Sequence, residues 1–375
     1  MAGAGAALAA WPGYARQAAA QDWSPFVLVA GLLLIGLVAD GDGLFAFAGR
    51  QLGRMARNGT ILFAGAVVII AAVTATLNLD TSVAFLTPVL VYTAASQRSA
   101  QPDGVVTGSA LLYGCLLLSN AGSLLLPGSN LTNLIVLGHL HLTGGQFLAR
   151  MWLPWLAAVL ATAAVVAIGE RRSLRTRAVP AAVLTETAPP ERPVLGVGLG
   201  AVLLATVLVV TLASAALAVA AIGVVAAAIR LIQRRVTAAG VREILGVPVL
   251  VGLFGVAVTL GAVGRAWAGP AVFISHLNAW AAAAVAGVST VVLNNLPAAS
   301  LLAARAPSHP LFLVVGLNLG PNLYVTGSLA WLLWLRAARV AGARPSVARA
   351  SRLGLVAVPV AMALALAALT LTGAS

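Results

Sequence analysis

Hydropathy constrains this chain more than any motif. Of its 375 residues, 61% are hydrophobic and 8% are charged, against roughly half and a quarter in a soluble domain. A mean hydropathy of +1.02 leaves too few polar side chains to clothe a water-exposed surface. In lipid, each backbone N–H and C=O must be satisfied within the chain, which selects helices over open sheets. The expected fold class is an all-α polytopic membrane protein. A soluble enzyme, a nucleic-acid binder and a disordered chain are excluded. At roughly 20 residues per span, there is room for about eight to ten membrane segments and short loops.

The formal net charge is +13, and all 22 basic residues are Arg. In a soluble protein that balance would suggest a nucleic-acid partner. Here the arginines sit in loops between apolar runs. Arg50, Arg54 and Arg57 form one cluster, and Arg171, Arg172, Arg175 and Arg177 a second. Arg230, Arg234, Arg235 and Arg242 form a third, and Arg336, Arg339, Arg344, Arg349 and Arg352 a fourth. The positive-inside rule places all four in the cytoplasm, and no nucleic acid is expected. Asp40 and Asp42 read as a solvated inner loop. Arg265 and Arg305 read as snorkelling at the outer interface. The single Cys, Cys115, excludes an internal disulfide and a Cys metal cluster, and reads as packing. His139 and His141 read as surface residues. No Walker A run, His-Glu-x-x-His or Gly-x-Ser-x-Gly occurs, so neither a cofactor nor enzymatic activity is expected. The first twenty residues lack the pattern of a cleavable signal peptide. The Lys-free, Ala- and Arg-rich composition fits a bacterium of high genomic GC, and hence a multi-pass protein of the bacterial plasma (inner) membrane.

Several apolar runs are too short to cross a bilayer alone, and short runs in pairs fit re-entrant hairpins or helices broken at mid-membrane. The Arg clusters close into one topology if 61–97 is a hairpin open to the inside and 277–305 a hairpin open to the outside, with both termini outside. The stretch 169–193, ending in Pro189, Pro190 and Pro193, reads as a cytoplasmic linker. The expected organisation is an N-terminal segment 1–24, a first inverted repeat 25–168, the linker, and a second inverted repeat 194–375. Each repeat would carry a re-entrant helical hairpin and a discontinuous transmembrane helix.

The halves match in order. Leu77-Asn78-Leu79-Asp80-Thr81-Ser82 lies between apolar arms in the first, and Leu293-Asn294-Asn295-Leu296-Pro297 in the second. Further on, Ser119-Asn120-Ala121-Gly122-Ser123 leads to Pro127-Gly128-Ser129-Asn130, and Asn318-Leu319-Gly320-Pro321-Asn322 leads to Thr326-Gly327-Ser328. A helix broken at mid-depth frees N–H groups on one half and C=O groups on the other. Gly and Pro permit the break. Ser and Asn can satisfy the freed groups, or a solute. Two tips and two breaks meeting at mid-depth would make one polar pocket; close helix packing is the competing reading. The candidate solute- and ion-binding residues are Asn78, Asp80, Thr81, Asn120, Ser123, Ser129, Asn130, Asn294, Asn295, Asn318, Gly320, Asn322, Gly327 and Ser328. Asp80 is the one acid the pattern places near mid-membrane, which suits it to proton coupling or a sodium ion. A carboxyl that caps the tip is the alternative.

At these residues the sequence resembles the arsenical-pump membrane protein family, arsenite and antimonite efflux carriers of the wider ion transporter superfamily. That superfamily also holds sodium/proton antiporters and dicarboxylate carriers. The resemblance runs from about Asp22 to about Leu371. It rests most on Asn294-Asn295-Leu296-Pro297, on Leu319-Gly320-Pro321 through Gly327-Ser328-Leu329-Ala330, and on Asn78, Asp80, Leu86-Thr87-Pro88, Ser129-Asn130-Leu131 and Asn133. It implies alternating access, arsenite or antimonite export and coupling to the proton gradient. The superfamily alternatives are a small-anion or dicarboxylate transporter and a sodium/proton antiporter. Implied partners are the lipid bilayer, a small inorganic solute with its coupling H+ or Na+, a homodimer mate and a soluble ATPase subunit. This chain departs from the family pattern in having Asn120 and Asn318 where an Asp is frequent, and Asn322 where a Lys commonly follows Gly-Pro.

Overall fold

The computed structural model describes residues 2–98, 108–138, 140, 142–175 and 196–373. His139, His141, Arg177 and most of the expected linker, including Pro189, Pro190 and Pro193, lie outside the described residues.

Every regular element described is helical. The first half contains α1 (Ala2–Ala10), α2 (Pro12–Gly41), α3 (Leu44–Met55), α4 (Gly59–Thr76), α5 (Leu79–Arg98), α6 (Ser109–Gly122), α7 (Leu131–Leu137), α8 (Gly144–Gly169) and α9 (Arg171–Leu174). The second contains α10 (Val197–Thr211), α11 (Ala216–Ile232), α12 (Ala238–Leu245), α13 (Val247–Ala266), α14 (Gly269–Ser275), α15 (Ala279–Leu293), α16 (Asn295–Leu302), α17 (Pro310–Leu319), α18 (Leu329–Val340) and α19 (Val347–Leu371). Among the described residues, α2, α4, α8, the stretch Ala238–Ala266 and α19 are long and apolar enough to cross a membrane. The expected boundary at 24/25 falls inside α2, whose Ala15 and Ala18 pack on Ala262 of α13.

Both expected breaks are present. A 3₁₀ turn, Pro127–Ser129, lies between α6 and α7, and a second, Gly320–Leu323, lies between α17 and α18. Both expected hairpins are present too. The arms α4 and α5 are 18 and 20 residues long, roughly 27 and 30 Å at 1.5 Å per residue. The arms α15 and α16 have 15 and 8 residues, roughly 22 and 12 Å. The two hairpins are therefore unequal in depth.

Contacts place the hairpins at opposite ends of the bundle. Gly59, which opens α4, lies against the backbone of Leu174, and α5 returns to α3, where Val89 and Thr93 meet Gly49. At the other end α14 touches both α15 and α16, and Gln21 Nε2 donates to Ala303 O, just past α16. Across the halves, α7 packs on α16 and α17, while α18 packs on α5 and α6. Each half thus covers the other's hairpin with the second part of its broken helix.

The described members of the four Arg clusters gather at the α3 end. Leu174 joins the first to the second. Glu170, beside the second, binds Arg349 of the fourth at 2.6 and 2.8 Å, and Arg336 of the fourth binds Glu243 beside the third at 3.0 Å. Three expectations about charges are corrected here. Asp42 is not solvated: it is buried, accepts from Gly198 N at 2.8 Å and pairs with Arg230 at 2.8 Å. Arg230 is not a loop charge but a buried one, at 6% side-chain exposure against 2% for Asp42. Arg265 does not snorkel: it donates to Gly261 O and to Gln21 Oε1, and Arg305 donates to the Arg265 carbonyl. The physical reason is shared. A charge that packing encloses must find a countercharge or a dipole, and these find theirs on helices remote in sequence.

Removing one partner of a buried ion pair leaves the other uncompensated. Arg230→Met is expected to cost about 3–5 kcal/mol, while Asp42→Asn/Arg230→Met recovers most of it. Thermal unfolding in detergent compares the two; equal midpoints would contradict the pairing.

Candidate functional site

The breaks dock on each other through asparagine side chains. Asn318, at the end of α17, fills its whole hydrogen-bonding capacity. Its Nδ2 donates to Asn133 Oδ1 at 2.6 Å and to Val314 O at 2.8 Å. Its Oδ1 accepts from Asn130 Nδ2 at 2.8 Å and from the Ser123 hydroxyl. Asn133 donates onward to Ser123 O at 2.8 Å and to Leu126 O at 3.2 Å, both carbonyls freed by the first break. Asn120 Nδ2 donates to Asn322 Oδ1 at 2.9 Å, and Asn322 Nδ2 to Leu117 O at 3.0 Å. These groups lie among the most buried in the protein. Unpaired, each would carry the desolvation cost of a polar group in an apolar interior.

Each break also docks on the tip of its own half. Ser129 Oγ donates to Ala75 O at 3.0 Å, three residues before Asn78. Thr326 Oγ1 donates to Val291 O at 2.6 Å, three residues before Asn294. At the second tip, Asn294 Nδ2 donates to Thr326 O at 3.0 Å and Asn295 N to Gly327 O at 2.8 Å. Asn294 holds φ +82° and ψ 152°, a region left almost wholly to glycine and costly for other residues, of the kind found at functional sites. Gly320 is at the break for packing: a Cβ there would enter the backbone of Gly287 on α15.

The first tip is built differently. Asn78 Oδ1 accepts from Thr81 N at 2.7 Å and so caps α5. That removes the capping reading of Asp80: its half-buried carboxylate, in the first turn of α5, makes no hydrogen bond or ion pair among the described residues. At the same tip the buried Asn78 Nδ2 and Thr81 Oγ1 have no partner; Asn120 Oδ1 at the first break and Ser328 Oγ at the second are unpaired as well. In a folded protein such atoms are rare.

Gly320 aside, the predicted residues thus separate by what their polar atoms do. Ser123, Ser129, Asn130, Asn318 and Asn322 are engaged in holding the breaks; Asn294, Asn295 and Gly327 hold the second tip to its break. Asn78, Asp80, Thr81, Asn120 and Ser328 each keep a side-chain polar atom without a partner among the described residues. Asn133 was missed as a site residue although it ties three groups together. Its signal was present, one helical turn after Asn130. Cys115 is buried 3.4 Å from Thr87 Oγ1, as packing requires. Among the described residues no His/Cys/Asp/Glu group could hold a metal ion.

A helical bundle with two broken helices, two hairpins and polar atoms in its interior defines a membrane transporter class. The family model described as "CitMHS: Citrate transporter" matches residues 1–338. The chain belongs to this citrate transporter family. No curated protein matches the chain. Among solved structures, the Alcanivorax borkumensis YdaH transporter, whose crystal structure is described as revealing an unusual topology, aligns with a TM-score of 0.54 at 15% identity. The alignment covers 98% of this chain and 89% of that one. At that identity the likeness speaks for the fold alone.

Stability and capacity separate in a simple comparison. Asn318→Ala strands Asn130 Nδ2 and Asn133 Oδ1 and is expected to cost roughly 1–3 kcal/mol for each stranded group. Thr81→Val removes an unpaired hydroxyl at nearly constant shape and is expected to leave the unfolding midpoint unchanged or higher. A lower midpoint for Thr81→Val would show that its hydroxyl has a partner in the folded protein.

Proposed function

We propose that this protein is a secondary active transporter that exports arsenite or antimonite by alternating access, driven by the proton gradient through Asp80. The observation that carries the reading is the unpaired Asn78 Nδ2 and Thr81 Oγ1 at the tip that bears the unpaired Asp80, with Asn120 Oδ1 unpaired at the first break. It offers neutral donors and acceptors, one acid and no cation. A neutral trihydroxy solute such as arsenous acid suits that inventory, because it needs hydrogen bonds in a dry site and no countercharge. An acid at this depth is expensive unless it works, and proton carriage is work that a lone carboxylate can do. A sodium ion on the same oxygens is the alternative coupling.

The two halves are read as inverted repeats of 25–168 and 194–375, joined by a cytoplasmic linker. Hairpins open to opposite ends and reciprocal packing of α7 and α18 support this. With the Arg clusters at one end, that end is the cytoplasmic face of a bacterial plasma membrane.

A small carboxylate is the second reading, and two observations favour it. The family is described by citrate. The first turn of α18 has no side-chain cap, and its N-cap Ser328 hydroxyl is unpaired, so a half-helix presents its positive end without a neutral partner.

The test is arsenite and antimonite tolerance in a bacterium stripped of its own efflux pumps, with citrate uptake into proteoliposomes measured in parallel. Tolerance with the native chain that Asp80→Asn abolishes, at equal membrane expression, is the expected result. Tolerance retained in Asp80→Asn removes the coupling role. Citrate uptake without tolerance moves the assignment to the carboxylate.

A further inference from the structure

At the Arg-rich end, two loops far apart in sequence share one corner. A Cβ at Gly59 would stand 2.8 Å from Leu174 O and 3.0 Å from Leu174 Cα, so only glycine lets α9 rest on the first turn of α4. This seat brings Arg57, two residues before Gly59, to the same place as Arg171, Arg172 and Arg175 around Leu174, with Arg54 at the end of α3 beside them. All five are exposed. Like charges gathered in one corner repel unless an anion joins them.

Among the described residues no acid pairs with them. Glu170, the adjoining acid, is buried at 2% exposure and bound by Arg349 and Ser109. Asp42 is bound by Arg230, and Glu243 by Arg336. Among the described residues, Arg54, Arg57, Arg171, Arg172 and Arg175 have no ion pair. Exposed apolar side chains flank the corner on its membrane side. Ile61, in the first turn of α4, is 43% exposed, and Ile168, in the last turn of α8, 70%. A soluble anion has no use for them, whereas a lipid places its phosphate among arginines and its acyl chains on such residues.

We infer that the corner formed by Arg57, Arg171, Arg172 and Arg175 over Ile61 and Ile168 is a binding site for the phosphate headgroup of an anionic phospholipid. This is independent of the transported solute. Guanidinium groups bind phosphate oxygens in pairs, and Ile61 and Ile168 set the depth of the glycerol. Because α9 rests on α4, the bound lipid would brace the outer arm of the first hairpin.

The full chain, reconstituted in nanodiscs of equal phosphatidylglycerol and phosphatidylcholine, is extracted and its retained lipids are weighed by native mass spectrometry. Selective retention of phosphatidylglycerol is expected, falling roughly five-fold for each arginine replaced by Gln. The control is Arg235→Gln/Arg242→Gln/Arg339→Gln/Arg344→Gln, which removes the same charge elsewhere on this face and is expected to retain the lipid. Equal loss in this control and in Arg57→Gln/Arg171→Gln/Arg172→Gln/Arg175→Gln would reduce the effect to general surface charge and overturn the site. So would equal retention of the two lipids, or displacement of phosphatidylglycerol by millimolar inorganic phosphate.

Discussion

The structure depends on how two helices can be broken inside an apolar bundle. Each break frees backbone groups that neither lipid nor neighbouring Leu and Val side chains can satisfy. Asn318, Asn133, Asn130 and Ser123 take up that demand in one connected set, and Asn120 with Asn322 forms a second link. Because these bonds run between residues near 120–133 and residues near 318–322, satisfying the breaks also fixes the halves against each other. Local backbone repair and global assembly are the same interaction.

Once the breaks are held this way, the distribution of the remaining polar atoms acquires meaning. A side chain whose atoms are all engaged is structural wherever it sits. Asn318 is of that kind, though it looks like a ligand in sequence. Asn78 is half of that kind: its oxygen caps α5 and its amide is left over. Asp80 is left wholly unengaged two residues on. An unpaired carboxylate and an unpaired amide in an apolar interior are costly, and no contact within the described residues offsets that cost. The arrangement is consistent with a family described as citrate transporters and with the fold of a known transporter.

Charge follows the same economy at the Arg-rich end. The buried acids described there are spent on arginines that packing has partly or wholly enclosed, as in Asp42–Arg230 and Glu170–Arg349, while the exposed Glu243 pairs with the exposed Arg336. The arginines left over are those at the surface, where water and lipid headgroups compensate them. This is why a net charge of +13 coexists with a mean hydropathy of +1.02.

By itself the sequence determined that the chain is helical and embedded, because 61% hydrophobic residues admit no other solvent. It also determined where the helices break, because Gly122-Ser123, Pro127-Gly128 and Gly320-Pro321 interrupt runs that are otherwise apolar. The tips at Asn78 and Asn294 were legible for the same reason. Tertiary structure alone decided which of the Asn and Ser residues are spent on the fold, since hydrogen bonds between positions some 190 apart leave no local signature. It alone buried Asp42 against Arg230 and tied the half-buried Arg265 to Gln21, charges that a reading by loop position puts in water or at the interface. Periodicity and composition report how a segment meets its solvent; partner choice between distant segments is settled only when packing brings them together.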